Sequence, residues 1–269
     1  MSRRIAVAAT APFGADVLER LAERHEISSL LTRPDSSAGR GRKLAAPPAK
    51  KVAERLGIPV LQPERLEPDL ELGAPRVVAV AYGVIVPDAL LEERLWLNVH
   101  PSLLPRWRGA APVERAIMAG DTETGVTVIK LVGELDAGPI AARQAFPIEP
   151  ADDAGAVYAN AAAAAADLLG LVLAKPDPEL EPQPREGVTH AAKISSADRT
   201  LDLARPAREL VDVVRALSPH IGARAELHGR RVTIWRARVG DADSFEPLEV
   251  QPDGGRRMDY QAWLRGLRS

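Results

Sequence analysis

Leu97-Asn98-Val99-His100-Pro101-Ser102-Leu103-Leu104-Pro105-Arg106-Trp107-Arg108-Gly109-Ala110-Ala111-Pro112 is the stretch on which the reading of this chain turns. Its start reads as the end of a strand, Leu97–His100, stopped by Pro101. Residues i and i+2 of a strand point to one face. Asn98 and His100 therefore share a face at the carboxyl edge of whatever sheet the strand joins. An amide beside an imidazole suits acyl transfer. Asn can give an N–H to a developing oxyanion, and His can donate or accept a proton near neutral pH. An isolated Asn-x-His pair more often just satisfies local backbone groups; the Ser-Leu-Leu-Pro and Arg-Gly that follow are what make this one unusual.

Outward from that strand, short apolar runs alternate with helical patterns. Ile5–Ala9, Ile27–Leu31, Pro59–Leu61 and Val77–Ala81 read as strands; Phe13–Arg24, Pro48–Leu56 and Pro87–Leu91 read as helices. Val17, Leu18 and Leu21 give the first helix its apolar face. Such alternation predicts an α/β fold with a mostly parallel, Rossmann-like sheet covered by helices. Ligands of such sheets bind beyond the carboxyl ends of the strands. Gly125–Leu131 and Pro139–Pro147 read as further strands, antiparallel at one edge. Ala154–Ala174 is nearly all apolar, but Asn160 and Asp167 interrupt it and alanine is a poor membrane residue. It is expected to be a packed helix rather than a membrane span. Met1–Ala11 reads as a first buried strand rather than a signal peptide, and a cytoplasmic location with no membrane partner is expected.

The composition changes at Lys175. Lys175-Pro176-Asp177-Pro178-Glu179-Leu180-Glu181-Pro182-Gln183-Pro184 is too rich in proline for a helix interior or a central strand and reads as an extended linker. Beyond it Ala207–Ala216 reads as a helix. Ala223–Leu227 and Arg231–Val239 read as strands joined at His228-Gly229. The expected organisation is a catalytic domain over 1–174, a linker over 175–200 and a smaller β-rich domain over 201–269.

Bulk composition removes several classes of function. A chain of 269 residues is comfortable for two domains. With no cysteine, disulfides, thiolate metal sites and cysteine nucleophiles are excluded. Five histidines leave little for a histidine-rich metal cluster, and a net charge of −2 gives no global basic field to attract nucleic acid, DNA included, so any basic partner surface must be local. Aromatic residues at 4% disfavour a base-stacking platform.

Three further places carry polar chemistry, each with an ordinary reading beside it. Asp136, in Gly133-Glu134-Leu135-Asp136-Ala137-Gly138-Pro139, is either a turn aspartate or a carboxylate that holds His100. Ala81-Tyr82-Gly83-Val84-Ile85-Val86-Pro87 is either a plain strand-to-helix loop or one whose backbone reads a ring edge past Gly83. The loop Arg33–Lys43, with Arg33, Arg40, Arg42 and Lys43 against one acid, is either a solvated basic loop or a grip on phosphates. Sequence spacing leaves these open.

Taken together, Asn98-Val99-His100, Ser102–Pro105, Arg108-Gly109, Gly125-Val126-Thr127 and Asp136-Ala137-Gly138 resemble the folate-dependent formyltransferases. Trp107–Pro112 and Arg33–Leu44 are similar to the branch that formylates methionyl-tRNA. The resemblance runs from about Ile5 through the catalytic domain and resumes at Ile194-Ser195 and Val232–Val239. It implies 10-formyltetrahydrofolate as co-substrate, initiator methionyl-tRNA as partner, no metal and a monomer. It implies Asn98, His100 and Asp136 as catalytic residues. Ser102, Leu103, Leu104, Pro105, Tyr82, Gly83, Val84 and Ile85 would bind the folate, and Arg33, Arg40, Arg42 and Lys43 would bind tRNA. The last domain would be an OB-like barrel gripping tRNA through charge, with Arg224, Arg230, Arg231, Arg236 and Arg238 around its hairpin.

The chain departs from that family in two places. Ala9 stands where a glycine normally follows the first alanine, which should constrain that turn. The last domain is short, with only the acidic Gly240–Pro247 where more strands are usual. Two other readings compete. A formyltransferase acting on a small amine would keep the polar trio without needing Arg40 and Arg42. A non-catalytic folate- or RNA-binding module would have no use for all three polar residues.

Overall fold

The run Ile5–Ala9 has no polar alternation, as expected of a strand covered on both faces, and all five residues are fully buried. It forms β1 (Arg4–Ala9) in the computed structural model, which describes residues 3–38 and 43–268. Pro12 opens α1 (Pro12–Ala22), where a proline costs no backbone donor, and Val17, Leu18 and Leu21 face inward. Next come β2 (Glu26–Leu31), the antiparallel pair β3 (Ser36–Ala38) and β4 (Lys43–Ala45), then α2 (Pro48–Arg55) and β5 (Val60–Leu61). β6 (Arg76–Val80), α3 (Asp88–Glu93), β7 (Leu95–His100), the short β8 (Arg108–Gly109) and α4 (Pro112–Met118) follow. β9 (Glu123–Lys130), β10 (Ile140–Pro147), α5 (Ala154–Ala174) and the short β11 (His190–Ala191) come before the C-terminal elements.

The main sheet has the order β10-β9-β7-β6-β1-β2-β5. From β5 to β7 the pairings are parallel, and β9 runs antiparallel to β7 with Thr127 opposite His100. β1 lies between β2 and β6, so the chain reverses its direction of travel across the sheet there. The carboxyl ends of β1, β6 and β7 thus border the crevice where such sheets take ligands. Thr10 Oγ1 donates to Tyr82 O at 2.8 Å and ties the loops after β1 and β6 together.

The tight turn expected at Ala9 is accommodated from the opposite side. A Cβ added at Gly14 would come within 2.8 Å of Ala9 Cβ and 2.4 Å of Val80 O. The room for Ala9's methyl group is therefore left by a glycine in the first turn of α1.

α5 has the bounds read from the sequence. Val157, Ala161, Ala165, Leu169 and Leu173 are fully buried, and their four-residue spacing marks one helix face as core. By length and composition alone this helix could cross a membrane. Its buried stripe, the Tyr158 hydroxyl bonded to Glu114 and the Asp167–Arg24 ion pair are features of a packed helix.

By internal contacts the chain forms two compact units. One comprises Met1–Arg108, Gly125–Ala145 and Ala159–Thr189; the other comprises Gly109–Thr124, Phe146–Tyr158 and His190–Ser269. The second unit contains α4 packed on α6 (Ala207–Leu217), and a four-stranded antiparallel sheet. Its strands β12 (Ala223–Leu227), β13 (Arg230–Val239), β14 (Phe245–Pro252) and β15 (Met258–Asp259) are neighbours in chain order, and α7 (Tyr260–Arg268) follows. That is one strand fewer than a five-stranded OB fold, in keeping with the short sequence. Leu210, Val214, Leu217, Ile234, Val250 and Trp263 form its core. The segment read as an acidic connection opens with a 3-10 turn at Asp241–Asp243 and ends in strand: β14 begins at Phe245 and carries Pro247 opposite a bulge at Arg236/Ala237. A bulge is where a strand tolerates proline.

Candidate active site

β7 ends at His100, and the chain turns at once because Pro101 cannot continue the ladder. The turn is held by Thr127, opposite His100 on β9. Its Oγ1 accepts the Leu104 N–H at 3.1 Å and donates to Ser102 O at 2.7 Å. Ser102 Oγ donates to Arg106 O at 2.6 Å, and the Leu104–Pro105 peptide is cis. Gly125 is needed beneath this turn: a Cβ there would stand 2.2 Å from Gln144 O and 2.5 Å from Leu103 Cδ2.

Asn98, His100 and Asp136 meet. Asn98 Nδ2 donates to Asp136 Oδ1 at 3.3 Å, and His100 Nδ1 lies 3.5 Å from Asp136 Oδ2. The His100 and Asp136 side chains are almost wholly removed from water, so their attraction is only weakly screened. His100 Nε2 is 2.8 Å from Trp107 O. A carbonyl oxygen only accepts, so Nε2 carries a hydrogen in this contact. The other nitrogen faces a carboxylate, and the imidazolium is the form that donates at both positions. Asp136 thus orients the ring of His100 and the amide of Asn98 together. An amide nitrogen has two hydrogens, so Asn98 can give one to Asp136 and offer the other to an oxyanion.

Asp136 has φ of +50°, an uncommon conformation for a residue with a side chain. Gly138 just beyond it is pressed against β9, where a Cβ would stand 1.8 Å from Lys130 O.

The residues expected to hold a folate divide into two groups. Tyr82, Ser102 and Leu104 are buried. Tyr82 joins the core formed with Ala79, Val86 and Trp96, and burial pushes its hydroxyl up to about 12 against the opposing charge of Arg33. Leu104 packs on Ile129 and Ile140. Their side chains are committed to the interior. Gly83, Val84 and Ile85 are exposed, Ile85 at 87%, and Leu103 and Pro105 are half-buried. These five can meet a ligand directly.

Of the basic loop, Arg33 is exposed at its root. Arg40 and Arg42 lie outside the described residues, and Lys43 is described only as the first residue of β4. The root is clamped: Asp35 accepts from Gln62 Nε2 at 2.8 Å and from Lys50 Nζ at 2.8 Å, and these bonds, that of Gln62 first, hold its carboxyl below the usual range.

Sequence reasoning missed Gln183 and Thr189, both in the stretch read as linker. Gln183 Nε2 donates to Asp136 O at 2.7 Å and Gly138 O at 2.8 Å, and its Oε1 accepts from Arg108 Nη2 at 2.7 Å. Thr189 Oγ1 accepts the Trp107 N–H at 2.8 Å. Only an unexpected glutamine among the prolines could have drawn the eye to this segment.

Known proteins share this arrangement of sequence. The signature of the family described as formyl transferase matches residues 3–173, and that of the formyl transferase C-terminal domain matches 193–247. A relative from Paracoccus denitrificans named methionyl-tRNA formyltransferase is 38% identical, over 98% of this chain and 97% of its own. The solved structure of methionyl-tRNA formyltransferase from Clostridium thermocellum has the same fold, with a TM-score of 0.67 at 14% identity, covering 94% of this chain and 99% of that one. HypX from Aquifex aeolicus, solved in complex with tetrahydrofolic acid, matches at a TM-score of 0.67 and 17% identity, covering 98% of this chain and 47% of that one. With a match that takes in the whole α/β sheet and relatives aligned nearly end to end, the chain belongs to the formyl transferase family.

Proposed function

We propose that this enzyme transfers the formyl group of 10-formyltetrahydrofolate to the α-amine of methionine carried on initiator tRNA; its relatives are named methionyl-tRNA formyltransferase. The observation that carries the chemistry is the convergence of Asn98, His100 and Asp136 at the carboxyl end of β7. The amine nitrogen attacks the formyl carbon and a tetrahedral intermediate forms. Asn98 and the imidazolium of His100 stabilise its oxyanion. The new C–N bond is kept, the bond from carbon to N10 breaks, and Asp136, which orients His100, shuttles the proton lost by the amine to N10. Gly83–Ile85, Leu103 and Pro105 would receive the folate, with Tyr82, Ser102 and Leu104 supporting them. Arg33, Arg40, Arg42 and Lys43 would meet tRNA phosphates. In this reading 1–174 carries catalysis, 201–269 grips tRNA, 175–200 joins them, and the enzyme works as a cytoplasmic monomer.

The test is formyl transfer from 10-formyltetrahydrofolate with initiator and elongator methionyl-tRNA side by side. Transfer to the initiator is expected, falling roughly 100- to 1,000-fold in Asn98→Ala and by at least about 100-fold in His100→Ala. Transfer to a small amine in place of either tRNA would overturn the acceptor assignment.

A further inference from the structure

Gln183 sits in a segment whose composition reads as a spacer, yet it is fixed at both ends. Glu181 exchanges backbone hydrogen bonds of 2.7 and 2.8 Å with Ile140, at the start of β10. Thr189 accepts the backbone N–H of Arg108 at 2.9 Å and, through Oγ1, that of Trp107. Between these anchors the Gln183 amide lies between Arg108 and the loop that carries Asp136. Its orientation is set by chemistry. A guanidinium only donates, so Oε1 must face Arg108, which reaches it from Nε at 3.1 Å and Nη2 at 2.7 Å. The two hydrogens on Nε2 are then aimed at the carbonyls of Asp136 and Gly138. These carbonyls flank the left-handed turn in which Asp136 is held.

We infer that Gln183 is a positioning residue for the transfer reaction: aligned by Arg108, it holds the 136–138 backbone so that the Asp136 carboxylate meets His100 and Asn98. The same segment steadies the other side of His100, because Thr189 holds Trp107, whose carbonyl faces His100 Nε2. The inference rests on the proposed formyl transfer for its kinetic readout, and on the Asp136–His100 contact alone for its spectroscopic one.

The experiment compares Gln183→Ala and Gln183→Glu with the full-length wild type. Glutamate keeps the partner of Arg108 but presents oxygens, not hydrogens, to the two carbonyls. Both variants are expected to lose kcat by roughly 10- to 100-fold, the scale on which small misplacements act. KM for the folate and for tRNA should stay within about twofold. The pH profile of kcat should shift, as should the His100 titration followed by NMR of the ring protons. A purely architectural glutamine would leave both pH readouts in place. Wild-type kcat and an unmoved His100 titration in both variants overturn the inference. If alanine prevents folding, glutamate decides: wild-type behaviour there shows that pairing with Arg108 is all that matters and overturns it equally. If the wild type transfers no formyl group, the function fails on its own, and the His100 titration still judges Gln183.

Discussion

Replacing Gly138 by alanine should disable the site more than its size suggests. The added Cβ would lie 1.8 Å from Lys130 O, whereas ordinary contact begins at 3.4 Å, so the loop and β9 must part by about 1.6 Å. Neither side can yield by rotating a side chain, since the obstacle is a backbone carbonyl. Overpacking of this kind costs about 1–3 kcal/mol. The displacement also breaks the Lys130 N–H bond to Pro139 O at 2.9 Å and the Gln183 bond to Gly138 O at 2.8 Å. At about 1 kcal/mol each, the total is about 3–5 kcal/mol. For a domain of this size that lowers Tm by roughly 10 °C. Because Asp136 is two residues away, kcat should fall well beyond what the unfolded fraction explains. Calorimetry and steady-state transfer at 20 °C measure the two effects separately. Gly170→Ala on α5 serves as the contrast: among the described residues, nothing beyond its chain neighbours and the nearby helix backbone lies within 4 Å of the added Cβ, and a gain of about 0.5–1 kcal/mol is expected. A Gly138→Ala protein with wild-type Tm and kcat would refute the claim that this close approach positions the carboxylate.

Two predictions concern ionisation in the second unit. Glu114 is half-buried on α4 and accepts the Tyr158 hydroxyl at 3.1 Å. Burial raises its pKa, and the hydrogen bonds and the charges of Arg115 and His220 only partly offset this. Its folded pKa exceeds its unfolded one, so its contribution is fully present below the usual carboxylate range and is lost as pH rises through the folded value. Glu114→Gln, which keeps an acceptor for Tyr158, should therefore gain on the wild type in urea stability as pH rises from 4 to 7; an equal pH dependence would sink the idea. Asp198 behaves oppositely. Arg115 grips it at 2.7 and 3.0 Å, and Ser195 donates from both its backbone and its hydroxyl, which holds the carboxyl well below its usual range. Its contribution is present at neutral pH and lost in acid. Asp198→Asn should cost about 1–3 kcal/mol at pH 7, with the gap to wild type closing below the ordinary carboxylate value near 4. A gap unchanged at pH 3 would count against it.

The parallel sheet was readable because its strands are continuous apolar runs and its first helix keeps an apolar face. The meeting of Asn98 and His100 was readable from the two-residue repeat of a strand. Asp136 was a candidate only, because its place depends on a turn, at φ +50°, that spacing does not encode. β14 was misread for a physical reason: Pro247 and Pro252 argue against a central strand, and the bulge on β13 that admits Pro247 is invisible in one strand's sequence. α7 had a signal that went unread, since Tyr260, Trp263, Leu264 and Leu267 fall at helical spacing and pack in the core of the second unit. Gln183 was illegible because its partners are 45 to 75 residues away.

The division into units bears on how this gene can be cut and joined. The polypeptide passes from one unit to the other five times, and α4, encoded before the middle of the chain, packs on α6, encoded near its end. A reading frame interrupted after residue 189 would leave α4 without that helix and strip the second unit of its sheet. Recombination within the proline-rich segment, where the composition invites it, would exchange Gln183 or Thr189 without their partners at Arg108 and Trp107. Parents that differ at these contacts would give poorly active chimaeras, and junctions that keep 97–189 from a single parent should survive best.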